Sequence, residues 1–199
     1  MKRLLAVVLA AISWGAISQP AAARERHPQQ DFAVQEAPFG GLFRGFGLGA
    51  SSGPVQRSYV NIQGNYKPGS IIISTSERRL YFVTAPGEAI RYGIGVGRDG
   101  FRWGGVHKVT AKKEWPAWTP PSQMLRRRPD LPRHMEGGPD NPLGARAMYL
   151  GSTLYRIHGS NEPETIGQAV SSGCFRMVND DVIDLYNRVS VGATVYVKN

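Results

Sequence analysis

The chain has a single cysteine, Cys174, and His158 lies sixteen positions before it. The thiolate is the reactive form of cysteine, so a working thiol needs a base or a positive field beside it. An imidazole can supply either. Both residues lie beside glycine, in Ile157-His158-Gly159 and in Ser171-Ser172-Gly173-Cys174-Phe175-Arg176-Met177. Gly173 can adopt dihedrals that other residues avoid. The consecutive N–H groups of Gly173 and Cys174 could point at a developing oxyanion. The chemistry this allows is acyl transfer. Cys174 would attack an amide carbonyl and form a thioester. His158 would take the thiol proton, or hold a preformed ion pair, and later protonate the leaving amine. Most lone cysteines are buried structural residues; it is the arrangement of the pair that points to catalysis. A metal hydrolase built on His107, His134, His158 and Cys174 would need a short ligand motif such as H-E-x-x-H or paired C-x-x-C, and none is present. No metal or other cofactor is therefore expected.

Strands must carry this pair. From Gly69 onward short apolar and alternating runs are separated by turn residues. Ile71-Ile72-Ile73, residues 79–84 and residues 89–96 read as strands, the last two joined as a hairpin through Ala85-Pro86-Gly87-Glu88. Gly93, Gly95 and Gly97 mimic half of a dinucleotide fingerprint, but another turn follows instead of a helix, so no nucleotide site is expected. Residues 106–114 read as a strand with His107 on its solvent side. Trp115-Pro116-Ala117-Trp118-Thr119-Pro120-Pro121 cannot be a helix interior. Residues 122–127 read as one helical turn, and the Pro- and Gly-rich 129–142 as a long loop bordering the site. Residues 147–150 and 153–157 form a second strand pair that delivers His158. A short helix is expected over 164–169. A longer one is expected from Asn179 as its cap, with Val182, Leu185, Tyr186 and Val189 on one buried face. Residues 193–197 return as the last strand. The expected fold is mainly β with short helices, sandwich- or barrel-like.

Residues 1–23 have the form of a secretory signal, with Lys2 and Arg3, an apolar run and Ala21-Ala22-Ala23. Residues 24–67 read as a flexible linker with Pro, Gln and a Gly/Phe-rich piece. Residues 68–199 form the expected catalytic domain. The net charge of +9 suits an anionic partner. Export makes a nucleic acid the wrong one and an anionic cell-wall polymer a fitting one, with the periplasm as the expected location. An exported chain with one unpaired thiol needs a functional reason for it.

Residues 157–177, I-H-G-S-N-E-P-E-T-I-G-Q-A-V-S-S-G-C-F-R-M, resemble the signature of the L,D-transpeptidase (YkuD-like) catalytic domain. The resemblance extends over residues 69–198 through Arg79-Leu80-Tyr81-Phe82-Val83, Tyr92-Gly93-Ile94-Gly95-Val96-Gly97, Glu114 to Pro121, and Gly137 to Arg146. It implies a cysteine nucleophile at Cys174, a proton carrier at His158 and a Gly159 backbone carbonyl orienting the imidazole. It also implies an oxyanion hole around Gly173 and Cys174, with Ser172 beside them. Arg176 either clamps a substrate carboxylate or braces the loop. Many members carry a second histidine where this chain has Ser172, so any relay role of that histidine does not carry over. The implied donor is a peptidoglycan tetrapeptide stem that loses its terminal D-alanine. The acceptor could be another stem's diamino acid, an outer-membrane protein or lipoprotein, or a free D-amino acid. With water as acceptor the protein would be a carboxypeptidase. A catalytically silent wall-binding module is the third alternative.

Overall fold

The β-branched and aromatic runs that stand out in the sequence fold as strands because each buries one or both faces. In the computed structural model, residues 33–36 and 53–199 are described. The strands are β1 (Val34–Glu36), β2 (Ser58–Ile62), β3 (Ile71–Ser74), β4 (Arg79–Ala85), β5 (Glu88–Gly93), β6 (Val96–Gly97), β7 (Gly105–Glu114), β8 (Arg146–Leu150), β9 (Arg156–His158), β10 (Ala169–Ser171), β11 (Phe175–Arg176) and β12 (Thr194–Lys198). The helices are α1 (Ser122–Arg127) and α2 (Asn179–Arg188). Among the described residues, no helix is long and apolar enough to cross a membrane.

Ten strands form one sheet in the order β1-β2-β5-β4-β3-β12-β7-β8-β9-β11, and β10 pairs with β6 in a small second sheet. The long strand β7 joins the two halves of the large sheet. Thr194 to Val197 of β12 pair with its first residues, and β8 pairs with its second half across an irregularity at Val109/Ala111. The halves share one core: Ile71, Leu80 and Tyr92 from one side meet Met148, Ile157 and Phe175 from the other, with Val182 and Leu185 of α2. This is a sandwich-like, mainly β fold, as the sequence predicts. Alternate residues of β3 and β4, Ile72, Tyr81 and Val83, point the other way into a second cluster with Val60, Ile62 and Tyr66.

That second cluster draws residues 53–67, the described end of the stretch read as a linker, onto the folded domain. Ser58–Ile62 pairs with β5 (Tyr59↔Ile90, Val60↔Ala89) and buries Val60 and Ile62. Upstream of it, Val55 packs on Gly93 and Gly53 on Val178. The alternation in Tyr59-Val60-Asn61-Ile62 is only four residues long, too short to stand out beside the glycine-rich stretch before it. The expected signal at 1–23 and the Gly/Phe-rich piece at 39–49 lie outside the described residues.

Three local expectations also change. Residues 163–165 form a single 3-10 turn, and Ala169 starts β10 where helix was expected. Asn179 is the first residue of α2 and does not cap it; its Oδ1 accepts the Ala145 N–H at 2.9 Å. His107 does not face open solvent: its ring lies edge-on to Trp103 at 4.9 Å.

Candidate active site

The two candidate side chains come from β9 and from the residue just before its parallel neighbour β11. Ile157 pairs with Phe175 and His158 with Arg176. Strand pleating puts residues two apart on one face. Arg156 and His158 therefore share a face with Arg176 and with Cys174, which immediately precedes β11. Diagonal neighbours on a sheet lie about 7–8 Å apart at the backbone, within reach of an imidazole and a thiol. His158 and Cys174 both line one cavity of about 700 Å³.

His158 is 4% exposed. Its Nδ1–H donates to the carbonyl of Gly159 at 2.6 Å, which leaves Nε2 as the acceptor. Burial pushes its pKa down to about 3, opposed by that hydrogen bond and reinforced by the charges of Arg176 and Arg156. Burial also pushes the Cys174 thiol up, opposed by the backbone and guanidinium of Arg156. Both effects favour the neutral forms at rest.

The turn before Cys174 is held by a residue that sequence reasoning passed over. The buried Ser171 hydroxyl accepts the Gly173 N–H at 3.1 Å and donates to the Cys174 carbonyl at 2.6 Å. This is the local side-chain turn that serine favours. Gly173 has φ +111°, and a Cβ there would meet the Tyr155 ring. Its carbonyl accepts from Trp103 Nε1 at 2.7 Å, and Trp103 stacks on Tyr155 at 4.5 Å. The Gly173 N–H, expected to face an oxyanion, is thus hydrogen-bonded to Ser171 in this structure. Ser172 and Cys174 line the cavity. Only the sequence's Ser-Ser-Gly run hinted at this turn; Trp103 and Tyr155 gave no signal.

Arg176 pairs with Glu162 at 3.0 Å across the cavity rim. The far wall comes from the Trp- and Pro-rich loop and α1, through Trp118, Met124 and Arg127, and from Leu131 and Pro142 of the long loop expected to border the site. The guanidinium groups of Arg98 and Arg127 lie over the Phe101 ring, 4.9 and 5.7 Å from its centre. Five arginines and one acid line the cavity, so it presents positive charge to a ligand.

A sandwich-like β-domain that sets a thiol and an imidazole on one sheet face above a basic cleft defines a class of cysteine-bearing domains suited to acyl transfer. The family model of the L,D-transpeptidase catalytic domain matches residues 68–197, and the chain belongs to that family. The "Probable L,D-transpeptidase ErfK/SrfK" of Escherichia coli is 38% identical over 136 residues, covering 64% of this chain and 43% of that protein. The chain thus spans less than half the length of such curated relatives. A solved structure from Brucella melitensis, named a probable carnitine operon oxidoreductase, is 45% identical with TM-score 0.50, covering 70% of this chain and 91% of its own. The catalytic domain of an E. faecium L,D-transpeptidase acylated by ertapenem shares the fold, with TM-score 0.52 at 20% identity, covering 68% of this chain and 100% of its own.

Proposed function

We propose that the protein is a peptidoglycan L,D-transpeptidase with Cys174 as nucleophile and His158 as proton carrier. The observation that carries this reading is the Nδ1–H bond from His158 to the Gly159 carbonyl, on the strand paired with the one that Cys174 leads into. That bond fixes the tautomer whose Nε2 can accept a thiol proton.

Burial favours a neutral thiol and a neutral imidazole at rest. Of the two routes open in the sequence, general-base catalysis thus fits better than a preformed ion pair. As the sulfur attacks the carbonyl of the stem's third residue, the S–H proton moves to Nε2 and the S–C bond forms. The tetrahedral oxyanion is met by the main-chain N–H groups of Cys174 and Ser172, since that of Gly173 is occupied. The C–N bond then breaks, and Nε2–H protonates the departing D-alanine amine. An acceptor amine attacks the thioester, gives its proton to Nε2 and releases the sulfur, which recovers that proton.

The arginine-rich lining suits a stem peptide bearing several carboxylates. Arg176 is the candidate clamp for one of them, on exchanging Glu162 for the substrate. The acceptor is an amine, from a second stem or from a wall-attached protein. Residues 1–23 would direct export to the periplasm, and the catalytic domain would start upstream of residue 68, with β2 included. The test is incubation with a tetrapeptide muropeptide and separation of the products. Cross-linked dimer with free D-alanine is expected. Tripeptide alone would mark a carboxypeptidase, and unchanged substrate a binding module.

A further inference from the structure

Arg156 has no part in the steps above, yet it stands beside the sulfur. Ile157 pairs with Phe175, so one position back along both strands Arg156 lies across from Cys174. Its backbone and its guanidinium both act on the thiol. The guanidinium is held in place. Nη1 donates to the Leu154 carbonyl at 3.2 Å, and Cζ lies 5.0 Å from the Tyr149 ring centre. Nε is buried without a hydrogen-bond partner. The residue lines the same cavity as Cys174 and His158.

Of the other charged groups around the sulfur, Arg176 also draws the thiol pKa down, but less than Arg156 does. Arg176, from β11, is offset by Glu162. On the far wall, Arg128 is offset by Asp130 at 2.6 Å, while Arg98 and Arg127 pack against Phe101. His158 is buried and favours its neutral form. Among the described residues, no carboxylate pairs with Arg156 in an ion pair.

We propose that Arg156 is a catalytic residue whose guanidinium stabilises the Cys174 thiolate as the S–H bond breaks and again as the thioester releases the sulfur. The same charge disfavours the imidazolium, so the proton that His158 accepts is passed on quickly to the leaving amine. This rests on the reading of Cys174 as nucleophile. An opposite charge within about 4–6 Å lowers an acid's pKa by about one to three units. Here that pull opposes the upward push of burial on the thiol.

The test is the pH dependence of Cys174 alkylation by iodoacetamide, followed by intact mass in the wild type, Arg156→Gln and Arg156→Lys, with circular dichroism to check folding. In Arg156→Gln the midpoint is expected to rise by about one unit or more, which slows alkylation about tenfold at a fixed pH below both midpoints. Arg156→Lys should keep most of the wild-type profile. A folded Arg156→Gln protein with the wild-type profile overturns the proposal, even if muropeptide turnover falls, because that pattern belongs to substrate binding. Should Arg156→Gln not fold, the wild type decides. A negatively charged methanethiosulfonate should modify Cys174 faster than a positively charged one, and equal rates overturn the proposal. If the alkylation profile shifts as expected but the wild type forms no muropeptide product, the proposed function fails and the role of Arg156 on the thiol stands.

Discussion

His158 on β9 is in direct register with Arg176 on the parallel strand β11. This pairing turns a separation of sixteen residues into adjacency. The residue two before Arg176 is Cys174, on the same sheet face as the imidazole. Cys174 thus sits where a backbone ladder ends, positioned by main-chain bonds such as Met177 N–H to the His158 carbonyl at 2.8 Å.

A thiol placed this way should react with acylating drugs. A carbapenem is expected to form one covalent adduct on the wild type and none on Cys174→Ala. Intact-mass measurement reads this directly, and an adduct surviving in Cys174→Ala would remove Cys174 from the role.

His158→Ala should fold and lose turnover by about a hundred- to ten-thousand-fold, the usual contribution of a positioned acid/base group. Steady-state muropeptide assays check it, and wild-type rates would take His158 out of the mechanism.

The buried imidazole should also leave a mark on stability. Its pKa is lowered from the ordinary value near 6.5 to about 3, chiefly by burial. Above about 6.5 neither the folded nor the unfolded state binds the proton. Between about 6.5 and 3 only the unfolded state does, so stability falls as pH falls through that window, by at most about 1.4 kcal/mol per unit. Urea unfolding from pH 7.5 to 5 should show a shallower fall in His158→Ala than in the wild type. Equal slopes would refute the burial argument.

Ser171→Ala removes one hydroxyl that serves two backbone groups. Leaving such buried groups unpaired costs about 1–3 kcal/mol. The turn carries Cys174, so kcat should fall at least tenfold with KM little changed. A lower melting temperature with unaltered kcat would reduce Ser171 to a purely structural part.

A chain starting at Pro68 would lose β2 and the side chains of Val60, Ile62 and Tyr66 from the second cluster. Burying each such apolar side chain contributes about 1.5–3 kcal/mol. This chain should therefore melt well below one starting at Gly53. Equal melting temperatures would restore the linker reading of 24–67.

Much of the site was legible because its chemistry is written in rare residue types. One cysteine and a glycine-flanked histidine left few candidates, and the strands from Ile71 to Val197 announced themselves by local period and turn residues. The sandwich-like class followed from those strands. The start of the domain was less legible, because β2 is stabilised by partners on β5 and carries only a short period of its own. Asn179 looked like a helix cap because its residue type suits one. Its side chain instead satisfies the Ala145 backbone, more than thirty residues away.

The sequence by itself determined which groups can carry the chemistry: one thiol and an imidazole. Only the tertiary structure decided which groups act on them. It bonded the Gly173 N–H to Ser171, set Arg156 across from the sulfur, braced the Gly173 turn with Trp103, and walled the cleft with Tyr155 and the loop beyond Trp115. Residue type is a local property of the chain, whereas register, burial and hydrogen-bond partners arise when distant strands pair and exclude water, and no single stretch of sequence encodes them.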